Sequence, residues 1–268
     1  MYLTDLHTHS RLSMDGEAPL EEMAQAAVQA GLSALTVTDH CDLLDGSGRR
    51  CLNYNWAPAL EQFERARQAF PQLRLGLGLE LGGAYVSPVH ARAILAGAGD
   101  RLDFVIGSIH NYGECRGGGD FYYTRFTSPQ LCHDALDDYF TSMEQLAALP
   151  DCYDVLGHII YPLRYMERDG QHITLEGYYP RIEAILRTAI ALGKGMEVNT
   201  CRGRTVAQWR PLLERYRALG GTILTVGSDA HRPGDVAKGV EEACHLIKSC
   251  GFSRIAVYEG RKPSFLEI

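Results

Sequence analysis

Asp5-Leu6-His7-Thr8-His9-Ser10-Arg11-Leu12-Ser13-Met14-Asp15 opens the chain and frames everything that follows. Leu3 and Leu6 lead out of a short apolar run, which places His7 and His9 at a strand end. Residues two apart on a strand face the same side. Two imidazoles from one strand can therefore hold one metal ion, and Asp15 in the next loop can reach a neighbouring one. A His-x-His pair is weak evidence by itself. Its weight comes from the company it keeps further on.

Downstream the chain alternates between the two periodicities. Pro19 opens a helix through Ala30, with Glu21 and Glu22 at its positive end and Gly31 as its stop. A strand over 34–38 ends on Asp39-His40, and a polar loop covers 43–53. A helix over about 57–70 is closed by Pro71, and the strand over 73–79 delivers Glu80. Ser87-Pro88 caps a short helix, and the strand over 102–109 finishes at His110.

Residues 111–127 form a long loop with Gly117-Gly118-Gly119 and the aromatics Tyr112, Phe121, Tyr122 and Tyr123. Connections of that length in a compact domain are usually functional or mobile, so the loop reads either as a mobile lid or as a solvated excursion. Ser128-Pro129 caps a helix to about Leu149, and a short strand over 153–157 ends at His158. An irregular segment over 159–173 precedes a helix over 176–192. The strand over 195–198 runs into Asn199-Thr200-Cys201-Arg202, a helix covers 211–219, and the strand over 222–227 ends on Ser228-Asp229-Ala230-His231. A helix over 240–250 and a last strand over 255–258 complete the series.

Strand and helix alternate with no linker and no repeat. That pattern implies an α/β fold with a parallel sheet wrapped by helices, one domain over 1–268, and its seven or so units favour a closed barrel. The polar residues of interest fall at strand C-termini, where such a barrel keeps its chemistry.

Composition narrows the function. Apolar residues are 46% and charged residues 22%, ordinary for a soluble enzyme. A net charge of −7, with no dense lysine-arginine run, argues against a nucleic-acid surface. No signal peptide and no membrane-length apolar run is visible. The eight cysteines stand singly, as in a reduced, cytoplasmic protein.

Collected, the strand-end groups are His7, His9, Asp15, His40, Glu80, His110, His158, Asp229 and His231. Buried uncompensated carboxylates would cost several kcal/mol each. Divalent cations remove that cost, and mixed imidazole and carboxylate donors suit them. His90, His133, His172 and His245 fall in helix or loop patterns and read as surface or structural.

Asp-Leu-His-Thr-His-Ser, Thr-Asp-His, Gly-x-Glu, Gly-Ser-Ile-His, Gly-His and Ser-Asp-Ala-His, in this order, resemble the polymerase and histidinol phosphatase (PHP) family. The match runs from residue 5 to about 235 and is similar to the free-standing histidinol-phosphatase branch. The resemblance implies a distorted (β/α)7 barrel with three metals. One metal would take His7, His9, Glu80 and Asp229; a second would share Glu80 and add His110 and His158; a third would take Asp15, His40 and His231. Some relatives carry His where Asp15 stands, and a carboxylate there favours Mn or Fe beside Zn.

The expected activity is that of a metal-dependent phosphomonoesterase, most specifically on L-histidinol phosphate in histidine biosynthesis. Hydroxide generated at the metals would attack phosphorus, with Asp229 or His231 protonating the leaving alkoxide. Arg164 and Arg202 follow strands whose ends face the barrel mouth, and neither has an acidic partner nearby in sequence. Guanidinium binds two phosphate oxygens in parallel, so both are candidate phosphate ligands, with Arg204 an alternative to Arg202. A third rival, a non-enzymatic scaffold, is disfavoured because all nine candidate ligands are intact, and two enzymatic rivals stand beside this reading. One is the same chemistry on a nucleotide or sugar phosphate. The other is metal-dependent amide hydrolysis, whose usual carboxylated lysine is replaced here by Glu80.

Overall fold

The computed structural model describes residues 2–268. Its first turn of structure is the expected strand, β1 (Thr4–Thr8), followed by α1 (Leu20–Gln29) and β2 (Ala34–Val37). Leu20, Met23, Ala24 and Ala27 recur at helical spacing along α1 and are all buried, so that stripe is what seats the helix on the sheet. Next come β3 (His40–Asp42), α2 (Trp56–Ala69), β4 (Arg74–Gly82), α3 (Pro88–Gly97), β5 (Phe104–Ser108) and α4 (Pro129–Ala147). The chain continues through β6 (Val155–Leu156), α5 (Leu163–Arg168), α6 (Tyr179–Ala191), β7 (Gly195–Asn199), α7 (Arg210–Ala218), β8 (Leu224–Gly227) and α8 (Val240–Ser249). A hairpin of β9 (Arg254–Glu259) and β10 (Lys262–Glu267) ends it.

The strands β1, β2, β4, β5, β6, β7 and β8 hydrogen-bond in that order, and every pairing is parallel. Backbone bonds join the two edges: the Asp229 amide donates to the His7 carbonyl at 2.9 Å and the His9 amide to the Ala230 carbonyl at 2.8 Å. The expected seven-stranded barrel is therefore present and nearly closed. Among the described residues no helix is long and apolar enough to cross a membrane.

Three parts of the architecture differ from expectation. Glu80 is not at a strand terminus, because β4 runs on to Gly82 where the short β3 pairs with it, His40 opposite Glu80. The segment read as irregular contains α5. The last strand does not join the barrel but pairs antiparallel with β10.

A register shift in β1 does much to build the site. Asp5 pairs with Leu35 but Thr8 with Val37, so three steps along β1 match two along β2. The extra residue lets two consecutive side chains turn inward. Leu6 packs with Phe104, Ile106 and Val155, while His7 Nε2 lies 3.2 Å from Glu80 Oε2. Beside it β8 must be glycine: a Cβ on Gly227 would sit 2.2 Å from His7 Cβ and 2.6 Å from Glu197 Oε1.

The opposite end of the barrel is floored by the hairpin. Ala256, Val257 and Tyr258 of β9 join the Leu6, Phe104, Ile106 and Val155 cluster. Two buried or half-buried carboxylates fasten it. Asp154 accepts Arg261 Nε and Nη2 at 3.1 and 3.0 Å and the Val105 amide at 2.9 Å. Asp103 accepts the Gly260 and Leu77 amides, both at 3.0 Å.

Candidate metal centre and active site

At the other end, the strand termini converge on Glu80, which is fully buried. Its Oε1 accepts from Ser108 Oγ at 2.7 Å and lies 2.7 and 3.1 Å from the Nε2 atoms of His158 and His110. Its Oε2 lies 3.2 Å from His7 Nε2, 3.6 Å from His9 Nε2 and 2.9 Å from His40 Nδ1. Asp229 faces the same histidines, with Oδ1 3.7 Å from His7 Nε2 and 3.5 Å from His9 Nε2. Asp15 lies across the mouth, 3.0 Å from His231 Nε2 and 3.7 Å from His40 Nε2. All nine residues expected from the sequence thus meet in one place.

The outer ring nitrogens decide what the inner ones can do. His7 Nδ1 lies 2.6 Å from the buried carboxylate of Glu197, and His110 Nδ1 lies 2.7 Å from Asp42 Oδ1. A carboxylate only accepts, so these nitrogens carry the proton. His231 Nδ1 likewise donates to the Asp229 carbonyl at 3.0 Å. His9 Nδ1 meets Ser13 Oγ at 3.1 Å, a hydroxyl that itself donates to Asp39. In each case Nε2 is the nitrogen left facing inward, toward Glu80, Asp229 or Asp15. This is the outer-shell pattern that orients imidazole ligands on metals.

The interior is left unsatisfied. His7 Nε2, His9 Nε2, His40 Nδ1, Glu80 Oε2 and His231 Nε2 are buried and, among the described residues, face one another or Asp15 without forming a hydrogen bond of good geometry. Leaving several such atoms bare costs about 1–3 kcal/mol each. Divalent cations fit this donor set: His7, His9 and Asp229 place donor atoms within 4.8 Å of one another, as do His7, Glu80 and His158, and also His9, His40 and His231. His40, Asp42 and His110 form a fourth such group.

The charges are set for the same role. Burial alone would protonate Glu80, but His7, His40 and His110 hold it well below the usual carboxylate range. Asp229, also buried, is held low by His7, its contact with His9 and Arg164. Burial, with His40 and His231 beside it, keeps His9 well below the ordinary imidazole value. Both carboxylates are thus ionised and His9 is neutral, while His7, His40 and His110, pulled down by burial but raised further by the carboxylates beside them, hold protons that a bound cation would displace.

A cavity of about 1070 Å3 opens over this cluster, lined among others by Arg164, Arg202, Arg204, Tyr161, Tyr122 and Asp120. Contrary to the local sequence, Arg164 does have an acidic partner: Nη1 donates to Asp229 Oδ2 at 2.9 Å, and its guanidinium lies 4.8 Å from the Tyr161 ring centre. Arg202 and Arg204 are separated by geometry. Cys201 and Arg202 take left-handed backbone angles, φ 46° and 60°. Arg204 turns back to donate to Cys201 O and Sγ, while Arg202 Nε is buried without a partner.

The 111–127 loop is fastened rather than open. Asn111 Nδ2 donates to the carbonyls of Asp45 and Gly118, the Gly113 amide donates to Asp138, and Arg50 pairs twofold with Glu114. Its glycine run serves a turn, with Gly117 and Gly118 at φ 93° and 66°.

A model of the PHP domain family matches residues 5–201. The chain belongs to that family. It is also similar over nearly its whole length to curated proteins. A histidinol-phosphatase of Lactococcus lactis is 26% identical, covering 96% of this chain and 95% of its own. A "probable histidinol-phosphatase" of Deinococcus radiodurans is 29% identical, covering 97% and 98%, and one of Thermotoga maritima is 26% identical, covering 97% of each. Among solved PHP structures, the Lactococcus lactis histidinol phosphate phosphatase, crystallised with Zn, L-histidinol and phosphate, superposes with a TM-score of 0.80 at 24% identity, covering 98% of each chain. The likeness in structure bears on the fold.

Two functional neighbours, Asp42 and Glu197, escape a reading of motifs alone, and Ser108 and Asn199 stand inside quoted stretches that give them no role. Glu197 holds both His7 and the His158 amide, the latter at 2.9 Å. Asn199 Oδ1 lies 3.4 Å from Arg164 Nη2. An acidic residue inside the strand 195–198 was the available signal, since a charge in a buried strand needs a partner.

Proposed function

We propose that this PHP protein is a cytoplasmic, metal-dependent phosphomonoesterase that hydrolyses L-histidinol phosphate to L-histidinol and phosphate. The observation that carries the metal-dependent part is the inward set of unpartnered Nε2 atoms around Glu80 and Asp229, with their outer nitrogens pinned. The substrate rests on the relatives' names, and the compartment on eight free cysteines. His7, His9, Glu80 and Asp229 would hold one ion, Glu80, His110 and His158 a second, and Asp15, His40 and His231 a third. Zn, Mn or Fe suits these donors. Such ions lower the pKa of water to near neutrality and neutralise phosphoryl oxygens.

The chain's own groups supply the rest. Arg164 presents a guanidinium to phosphate oxygens from the Asp229 side of the cavity, and Arg202, whose Nε lacks a partner, faces them from the next strand. Arg204 is occupied by its own turn. Asp229 and His231 both stand beside the cavity as candidates to protonate the leaving alkoxide: Asp229 is held ionised and paired with Arg164, and His231 has Nδ1 on a backbone carbonyl and Nε2 toward Asp15.

The test is turnover of L-histidinol phosphate against nucleotide and sugar phosphates and amides, with and without chelator. Loss of turnover on chelation and its return with Zn or Mn are expected; a preference for another ester would move the substrate assignment. Arg164→Lys is expected to lower kcat/KM about ten- to a hundredfold, the value of a charged, two-pronged contact, because lysine keeps the charge and loses the fork. Metal content should stay at the wild-type level. A wild-type kcat/KM in that variant would mean the phosphate is held without Arg164.

A further inference from the structure

Helix α5 carries two arginines four residues apart, so Arg164 and Arg168 project from one face. Both line the cavity, yet they are differently employed. Arg168 uses four of its five donors inside the protein: Nη1 donates to the Tyr122 carbonyl at 2.7 Å, Nη2 to the Thr124 carbonyl at 2.6 Å, and Nε and Nη2 to Asp169, both at 2.9 Å. Asp169 in turn accepts the Phe126 amide at 2.9 Å. The guanidinium lies 5.2 Å from the Tyr165 ring centre, and the Tyr122 ring stands edge-on to Tyr165 at 5.8 Å.

The clamped residues are the part of the 111–127 loop that packing does not hold. Phe121 and Phe126 are buried on either side, but Tyr122 and Tyr123 are 55% and 66% exposed, and both line the cavity. Their rings touch each other edge-on, and Tyr123 packs over Gly46. The turn closes on itself through the Asp120 cap and through the Tyr123 and Thr124 amides, which donate to the Asp120 and Phe121 carbonyls, and the Arg168 fork ties its Tyr122 and Thr124 carbonyls to helix α5.

We propose that Arg168 is a positioning residue for substrate selection, fixing the Tyr122-Tyr123 turn as the wall that meets the organic half of the phosphate ester. This rests on the phosphomonoesterase reading above. A loosened wall must be ordered when the ester binds, and that cost enters the affinity for the ester. Inorganic phosphate occupies only the metal and Arg164 end and does not meet the wall. The two affinities should therefore separate.

In metal-loaded Arg168→Ala protein, KM for L-histidinol phosphate is expected to rise about tenfold, the worth of a hydrogen bond to a charged group. The inhibition constant of inorganic phosphate and the metal content should hold at wild-type values. Arg168→Lys should not restore KM, since one ammonium cannot span two carbonyls and a carboxylate. Tyr122→Ala with Tyr123→Ala should raise KM similarly while leaving the clamp's backbone acceptors in place, and adding Arg168→Ala to that pair should cost little more. Parallel losses in ester and phosphate affinity, an unchanged KM, or fully additive costs would overturn the positioning role. Wild-type protein inert on L-histidinol phosphate would remove the substrate reading and the inference with it; active wild type with no separation would remove the inference alone.

Discussion

Glu80→Gln protein is expected to lose metal from two positions at once and to drop in kcat/KM by more than about a hundredfold, beyond the 10–100-fold typical of losing an outer-shell partner. Glutamine keeps the shape and can still meet Ser108, so the barrel should fold. What goes is the charge that Oε1 offers to His110 and His158 and Oε2 to His7, His9 and His40. An amide oxygen is a poor bridge between cations, and its NH2 would face imidazole lone pairs. Elemental analysis alongside steady-state rates checks both halves. Full metal content with a wild-type rate would show that Glu80 bridges nothing.

At the far end of the barrel, Asp154→Ala is expected to cost about 3 kcal/mol of stability, since it strands part of the Arg261 guanidinium and the buried Val105 amide together. For a chain of this size that is roughly 5–10 °C in Tm. Asp154→Asn retains an acceptor for Val105 and should recover part of the loss. Rates well below the transition should hardly change, because the floor and the mouth are opposite ends of one barrel. A Tm unmoved in scanning calorimetry would mean the hairpin is held by apolar packing alone.

Much of this molecule was legible in its sequence, and the reason is periodicity. Strand and helix repeats announce themselves within about a dozen residues, and the barrel places strand termini together, so His7, His9, His110, His158 and Asp229 could be grouped before any coordinates. What stayed hidden is set by partners distant in sequence. The three residues of β3 form a strand because Glu80 and its neighbours lie alongside. Asp42 becomes relevant through His110, 68 positions on, and Glu197 through His7, 190 positions back. Arg164 looked unpaired because Asp229 is 65 positions away. β10 is exposed at every position but the half-buried Leu266, so no alternation marks it, and only β9 makes it a strand.

The bonds that join Asp229 to His7 and Ala230 to His9 also carry a consequence for how the protein comes into being. The donor cluster draws on residues from 7 to 231, so a nascent chain has no complete cation cage until His231 has left the ribosome. Closing a loop of that length is entropically slow, and contacts of such separation form late in folding. Until then Leu6, Phe104, Ile106 and Val155 also lack their cover from β9, the last apolar strand to emerge. Loading of the shared cage is thus a report that residues 7 and 231 have met: a half-made barrel has imidazoles, and a place for one ion between Glu80, His110 and His158, but not the whole cage.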